Sequence, residues 1–326
     1  MKAIVFEQYG PPDVLQLKDI AKPVPKDDEV LVKIHAASVN YVDWQVLNGK
    51  SLLLRLMSGL LKPKKQILGD DIAGVVEAIG DDANQFHPGE EVFGISNYDA
   101  FAEYACVPEK ALAQKPASMT FEQTAAVPEA GITALQGLRD RGKIQAGQQV
   151  LVHGASGGVG TFAVQIAKVF GAEVTGVCST GKLELVRSIG ADHVIDYTKE
   201  DFTKNGQRYD LIFAVGGNRS IFDYHRALSP EGIYVCAGGS STQYFQGLLL
   251  GPLISMMGRK KLGSMYGNLN REDFVFITDL IEVGKVVPVI DRIYPLSEVP
   301  EALRYYGEGK ARGKIVITVV PSNTSR

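Results

Sequence analysis

Apolar and β-branched residues fall in short runs over the first third of the chain, at residues 3–6, 30–37, 72–79, 91–95 and 103–108. Clusters of Gly, Pro, Asp and Asn at 10–12, 23–28, 81–84 and 87–89 separate them. Runs of this length between turn residues predict β-strands. From about residue 120 to 285 the texture changes. Continuous apolar runs at 149–153, 173–178, 193–196, 211–215 and 233–237 now alternate with helical patterns at 159–171, 182–189 and 222–228. Strands apolar on both faces, alternating with helices, predict a parallel sheet covered on both sides. Beyond Pro288 come a run at 289–294, a helical segment at 297–306 and a last run at 314–319. That last run has no βα neighbour, so it is expected to return to the N-terminal β region. The chain reads as an α/β protein: a β domain of residues 1–122 and 286–326, interrupted by a doubly wound domain of residues 123–285.

Composition narrows the function classes. The 326 residues carry 34 basic and 37 acidic side chains, a net charge of −3. A nucleic-acid binder needs a basic excess to replace counterions, so nucleic acid is not expected as a partner. Neither of the longest apolar stretches, 52–61 and 247–258, approaches the ~20 residues of a spanning helix. Residues 1–6 are too short for the apolar core of a signal peptide. Cys106, Cys178 and Cys236 are widely separated and suit a reducing compartment, so the cytosol is the expectation. The unusual count is glycine, 35 residues against a usual ~7%. No repeat or low-complexity tract absorbs them. They mark places where backbone turns sharply or approaches something closely.

The densest group lies in Val150-Leu-Val-His-Gly-Ala-Ser-Gly-Gly-Val-Gly160. An apolar strand runs into a glycine-rich turn, and an amphipathic helix follows. This is the context in which such glycines signal dinucleotide binding. Ser156, Gly157, Gly158 and Val159 would meet a pyrophosphate at the helix N-terminus, where N–H groups are unpaired and the dipole is positive. Ala155 stands where the usual pattern has its first glycine. A tight turn without a ligand is the competing reading. An NAD site places an acid about 20 residues on, against the ribose 2′-hydroxyl. Here that strand ends Cys178-Ser-Thr-Gly-Lys182. Hydroxyls and a lysine suit a 2′-phosphate instead, as donors and a point charge. Ser179 and Lys182 are the candidates, with Tyr197 at the end of the next strand. The expected cofactor is NADPH.

Further strings complete the pattern: Tyr9-Gly-Pro-Pro-Asp-Val-Leu15, Ala36-Ala-Ser-Val-Asn-Tyr-Val-Asp43, Gly69-Asp-Asp-Ile-Ala-Gly74, Phe86-His-Pro-Gly-Glu-Glu-Val92, Ala130-Gly-Ile-Thr-Ala134 and Arg312-Gly-Lys-Ile-Val316. Together they resemble the zinc-independent quinone oxidoreductase branch of the medium-chain dehydrogenase/reductase superfamily, over nearly the whole chain. The resemblance implies a GroES-like β domain built from both chain ends, an inserted Rossmann domain, NADPH and a homodimer. It also implies contacts to the nicotinamide end of the cofactor from Thr133, from Val215 and Gly216, and from Ala237 and Gly238. Where zinc-dependent members carry metal ligands, this chain has Asn40, Asp70 and Ala130, which is not a zinc donor set. Without a Lewis acid, electron-poor acceptors are favoured over simple alcohols. The resemblance sets Asn40 beside the acceptor as a hydrogen-bond donor. Tyr41 is a second candidate, as a phenolic proton source.

Two apolar segments bear on the acceptor. In 51–62, Ser51, Arg55, Ser58 and Lys62 fall on one side, and Leu53, Leu56, Met57, Leu60 and Leu61 on the other. A lid over a lipophilic acceptor, a helix packed on its own domain and a peripheral membrane contact all fit that stripe. The segment 244–257 precedes Arg259-Lys-Lys261 and reads as dimer-interface or cleft packing. The leading expectation is an NADPH-dependent reductase of a small hydrophobic quinone or enone. The alternatives are reduction of an enoyl thioester or an alcohol/ketone pair on the same scaffold, or a non-enzymatic NADPH-binding sensor or membrane-associated interaction protein.

Overall fold

The computed structural model describes residues 1–51, 55–56 and 58–319. They form two compact units. The first comprises Met1–Glu129 and Leu269–Thr278 together with the chain from Ile290 onward, and the second comprises Ala130–Asn268 and Asp279–Val289.

The first unit is a mostly antiparallel β structure. Its sheet runs in the order Ile290–Pro295, Lys314–Thr318, Glu29–Val39, Asp71–Ile79, Glu91–Ile95, Leu112–Gln114, with Tyr104–Pro108 also paired to Glu29–Val39. The late strand Lys314–Thr318 runs antiparallel to Glu29–Val39, with Ile315 opposite Val39 and Val316 opposite Ser38. Burial explains why this pairing holds. Ile315 and Ile317 share one apolar cluster with Val30, Val32, Ile34 and Val39, and with Val299 and Leu303 of the late helix Val299–Gly307. The segment Leu269–Thr278 joins the same unit through Phe274, whose ring meets Phe93 edge-on at 5.3 Å.

The second unit holds six parallel strands among the described residues, in the order His193–Asp196, Glu173–Cys178, Gln149–His153, Tyr209–Ala214, Leu228–Cys236, Lys261–Ser264. In chain order this is 3-2-1-4-5-6, the doubly wound arrangement that binds dinucleotides where the order reverses. Val150, Leu151, Val152, Val174, Leu211, Ile212 and Phe213 are wholly buried, as the continuous apolar runs predict. The sequence pattern passes over Gln16–Asp19, Leu112–Gln114 and Lys261–Ser264, which are three or four residues long and too short for alternation to register. Pro252, which interrupts an apolar stretch, lies inside the helix Ser241–Met256. That helix is capped by Ser240, whose Oγ accepts from the Gln243 N–H, and Ser255 Oγ donates to the Gly251 carbonyl beside the proline. None of the described helices is long and apolar enough to cross a membrane.

Gly160 shows how closely helix and strand approach in the second unit. A β-carbon there would run into the Gly154 carbonyl oxygen and the Ala155 backbone, neither of which can rotate away. Gly160→Ala is therefore expected to destabilise the unit by about 1–3 kcal/mol, the range for overpacking a tight contact. Thermal and denaturant midpoints measure this, and an unchanged midpoint would contradict the contact.

Candidate active site

The glycine turn leaves the strand Gln149–His153 at Gly154, whose φ of +93° is left-handed backbone that glycine adopts without strain. The N–H groups of Gly154 and Ala155 both donate to the Val177 carbonyl at 3.1 Å, which ties the turn to the neighbouring strand. Gly157, whose own N–H donates to the Gly154 carbonyl at 3.1 Å, then caps the helix Gly158–Val169, and the first helical N–H that is bonded is Thr161, to the Gly157 carbonyl at 2.9 Å. Helix geometry leaves the N–H groups of Gly158, Val159 and Gly160 without intrahelical partners. No acidic side chain stands in this first turn. A β-carbon on Gly157 would meet only the Gly154 carbonyl oxygen, at 3.6 Å, and its φ of −86° suits any residue. Neither packing nor conformation within the chain demands glycine there, so the space is available to a ligand. Ser156, Gly157, Gly158 and Val159 fit a pyrophosphate.

Two more loops converge on this turn. The Val215 and Gly216 N–H groups donate to the His153 carbonyl at 2.9 and 3.0 Å, and Ala237 N–H donates to the Ala214 carbonyl at 2.9 Å. Val215, Gly216, Ala237 and Gly238 thus sit at the carboxyl ends of consecutive strands, next to the turn. A buried network holds them. Gln243 Nε2 donates to the Gly238 and Gly216 carbonyls at 3.1 and 3.3 Å, and its Oε1 accepts from the Tyr224 hydroxyl at 2.8 Å. Because the tyrosine proton goes to Gln243, His153 Nδ1, 2.7 Å from that hydroxyl, must donate to it. Burial, with the Arg219 charge next, pushes the His153 pKa down to about 4, so the ring is neutral at pH 7. Thr133 is on the helix Pro128–Gln136, its hydroxyl beside Gly267.

The proposed 2′-phosphate residues are partly gathered. Ser179 caps the short turn Thr180–Lys182, and Tyr197 N–H donates to the Cys178 carbonyl at 3.1 Å. Tyr197 is half exposed. Sequence reasoning assigned no role to Asp196, which lies opposite Cys178 in the paired strand. Its carboxylate accepts from the Thr180 hydroxyl at 2.5 Å and the Thr198 hydroxyl at 2.7 Å, which hold its pKa down to about 2. The Thr180 hydroxyl is therefore engaged with Asp196.

In the first unit, Asn40 and Asp71 belong to a buried polar cluster. Asn40 N-caps the helix Tyr41–Asn48 and is 6% exposed. Its Nδ2 donates to Asp71 Oδ2 at 2.9 Å, and its Oδ1 accepts from Lys314 Nζ at 2.5 Å. Lys314 also reaches Asp71 Oδ2 at 3.1 Å, where Ser38 Oγ donates at 2.8 Å. The Glu129 N–H donates to Asp71 Oδ1 at 2.9 Å. Asp43 accepts from the Asn40 and Gly69 N–H groups, both at 2.8 Å, and Asp70 from the Tyr98 N–H at 2.6 Å. Burial raises the Asp43 carboxyl well above the usual range, with the Asp70 charge adding to it. Burial followed by the Asp71 charge does the same to Glu129, whose buried Oε2 has no partner among the described residues. In the sequence Lys314 stands within the motif Arg312-Gly-Lys-Ile-Val316, which by itself assigns it no role. Its signal was a lone charge opening the apolar strand Lys314–Thr318. Tyr41, beside Asn40, is 40% exposed.

Of the apolar stripe, residues 52–54 and Met57 lie outside the described residues. Arg55 and Ser58, from its polar side, are the anchored residues. Arg55 Nε donates to the Gly49 carbonyl at 2.5 Å, and Ser58 Oγ lies 3.0 Å from the Tyr9 hydroxyl. Leu56, Leu60 and Leu61 are exposed, which disfavours packing of that apolar side on its own domain.

The sequence matches two family models, the alcohol dehydrogenase GroES-like domain over residues 26–117 and the zinc-binding dehydrogenase over residues 189–317. The chain is 36% identical to 2-methylene-furan-3-one reductase of Solanum lycopersicum, over 98% of its length and 80% of that protein. It is 35% identical, at the same coverages, to a chloroplastic NADPH-dependent alkenal/one oxidoreductase of Arabidopsis thaliana. Among solved structures, the quinone oxidoreductase of Coxiella burnetii superposes with a TM-score of 0.88 at 31% identity, covering 98% of this chain and 99% of that one.

Burial pushes the Asp70 pKa up to about 6. Between roughly pH 4 and 6 the folded chain therefore keeps a proton that the unfolded chain releases. The associated stability is complete below pH 4 and lost as pH rises through 6, about 2–3 kcal/mol in all. Asp70→Asn keeps an oxygen for the Tyr98 N–H and removes the titration. Its stability relative to wild type, from urea denaturation, should rise by that amount between pH 4 and 7; a constant difference would refute the assignment.

Proposed function

Because this chain belongs to the quinone oxidoreductase branch of the medium-chain dehydrogenase/reductase superfamily, we propose that it is an NADPH-dependent reductase of quinones and α,β-unsaturated carbonyls. The observation that carries the reading is the open glycine turn at Gly157, backed by two loops held at the neighbouring strand ends. NADPH, when bound, supplies a hydride from its nicotinamide. Ser156, Gly157, Gly158 and Val159 bind the pyrophosphate. Ser179, Lys182 and Tyr197 select the 2′-phosphate, and Thr133, Val215, Gly216, Ala237 and Gly238 orient the nicotinamide end. Asn40 donates a hydrogen bond to the oxygen that gains charge as the acceptor is reduced, with Tyr41 as a second donor. Residues 1–122 and 286–326 form the catalytic domain of this reading and 123–285 the NADPH domain.

Zinc does not fit the residues present. Asn40 Oδ1 is held by an ammonium, and the Asp71 oxygens accept from Ser38, Asn40, Lys314 and Glu129. Asp70 Oδ1 accepts from Tyr98, and Ala130 has no donor. Among the described residues, no group of His, Cys, Asp and Glu suits a metal ion. No step is therefore assigned to a metal, despite the zinc in one matched family's name. Acceptors already electron-poor are the expected substrates: small, hydrophobic quinones and enones. We further read the enzyme as a cytosolic homodimer, with no nucleic-acid partner. Three free cysteines support a reducing compartment. Peripheral membrane contact through the exposed Leu56, Leu60 and Leu61 is a secondary reading.

Three measurements test this. Steady-state oxidation of NADPH should proceed with quinones and enones and be much slower with enoyl thioesters and ketones. NADPH binding without turnover of any acceptor would favour a sensor. Lys182→Ala should weaken NADPH by roughly tenfold or more, the range for a lost charge-assisted hydrogen bond, and leave NADH little changed. Equal losses on both would remove the 2′-phosphate assignment. Metal analysis of protein prepared without chelators should find no stoichiometric zinc; a tightly bound zinc required for activity would overturn the ligand argument.

A further inference from the structure

We infer that Lys314 is a positioning residue that, with Asp71, fixes which way the Asn40 amide faces. The inference rests on the reading of Asn40 as the donor to the acceptor oxygen. A side-chain amide is close to symmetric in outline. Its carbonyl and amino ends are nearly the same shape, so packing alone does not choose between two flips. Charge does. Lys314 Nζ is donor-only and sits on Asn40 Oδ1, while Asp71 Oδ2 is an acceptor and receives the Asn40 Nδ2. Both ions are buried, at 2% exposure for Lys314 and 0% for Asp71. Reversing the amide would set its amino group against an ammonium and its carbonyl against a carboxylate. One Nδ2 proton is taken by Asp71, and an amide carries two. The second has a fixed direction and remains for another acceptor.

The surrounding groups keep the pair in place. Ser38 Oγ and the Glu129 N–H fill the other acceptor positions of Asp71, so the carboxylate cannot turn without losing two bonds. The Asn40 N–H is bound to Asp43, which holds the backbone from which the amide projects. In this cluster an ion pair defines donor direction at a position where zinc-dependent relatives carry a metal ligand.

The test uses the full chain with NADPH and 1,4-naphthoquinone. Lys314→Met alone leaves Asp71 buried and unpaired and is liable to unfold. The double variant Lys314→Met, Asp71→Asn removes both charges at similar volume. The two facing amides of that variant can pair in either sense, so orientation is lost while a hydrogen bond remains. The expected result is a melting temperature and an NADPH affinity, by fluorescence titration, close to wild type, with kcat reduced by roughly 10–100-fold, as for a misplaced reacting group. Selective 15N labelling of asparagine gives a readout independent of turnover. The Asn40 side-chain amide should show one set of resonances in wild type and two sets, or an exchange-broadened average, in the double variant, where both orientations are populated. Asn40→Ala separates the two ideas. If it lowers kcat while the folded double variant stays within twofold of wild type, Lys314 is only structural and the inference falls. If Asn40→Ala leaves kcat unchanged, the donor reading falls and takes the inference with it.

Discussion

The first unit is organised around one buried ammonium. Lys314 opens the strand Lys314–Thr318, Asn40 follows the strand Glu29–Val39, and Asp71 opens the strand Asp71–Ile79. The bonds among these three side chains, with the Glu129 N–H, join three strands and a helix at one point. A buried ion pair is a weak source of net stability, since desolvation offsets much of the attraction. It is a strong source of specificity, because every alternative arrangement strands a charge. Four carboxyl groups and one ammonium lie together here, and burial raises the pKa of Asp43, Asp70 and Glu129. Burial therefore opposes the charged form of each of these three carboxyl groups.

The second unit solves a different problem with neutral groups. Loops at the ends of parallel strands carry backbone groups outside the sheet and need support to be rigid. His153, Tyr224 and Gln243 provide that rigidity from beneath. A neutral imidazole donates to a tyrosine, the tyrosine donates to a glutamine, and the glutamine donates to the carbonyls of Gly216 and Gly238. Such a chain has one consistent set of proton positions, which is why burial without charge suffices. Tyr224 also stacks on Tyr234 at 4.4 Å, which anchors the network in the apolar core.

Five strands of the parallel sheet were legible because they are continuous apolar runs alternating with helical patterns; the sixth, Lys261–Ser264, was too short to register. The turn at Gly154–Gly160 was legible for the same reason: strand, glycines and helix appear in order. The polar cluster was not. Its members are separated by up to 274 residues, and no spacing rule connects Asn40 to Lys314. Asn40 could be singled out only through resemblance, and its partners emerged only when the strands were paired. Asp196 escaped notice for a local reason. It ends a strand as an ordinary polar residue, and its involvement with Thr180 depends on parallel register across two strands. The exposed Leu56 and Leu60 weigh against one packing reading among the described residues, and Arg55 on the polar side is fastened to Gly49 and lies 4.7 Å from the Tyr9 ring.

The separation of Lys314 from Asp71, 243 residues along the chain, has a consequence for biosynthesis. A growing polypeptide emerges N-terminus first, and domains tend to fold as they appear. The strand carrying Asp71 is made long before its counter-ion. Until Lys314 leaves the ribosome, the early β strands lack both the edge partner for Glu29–Val39 and the cation for their buried carboxylate. The inserted Rossmann unit has no such dependence on the last strand and is free to fold first. The order of synthesis and the order of completion are thus reversed for the two units: the half begun first is finished last, when a single lysine closes it.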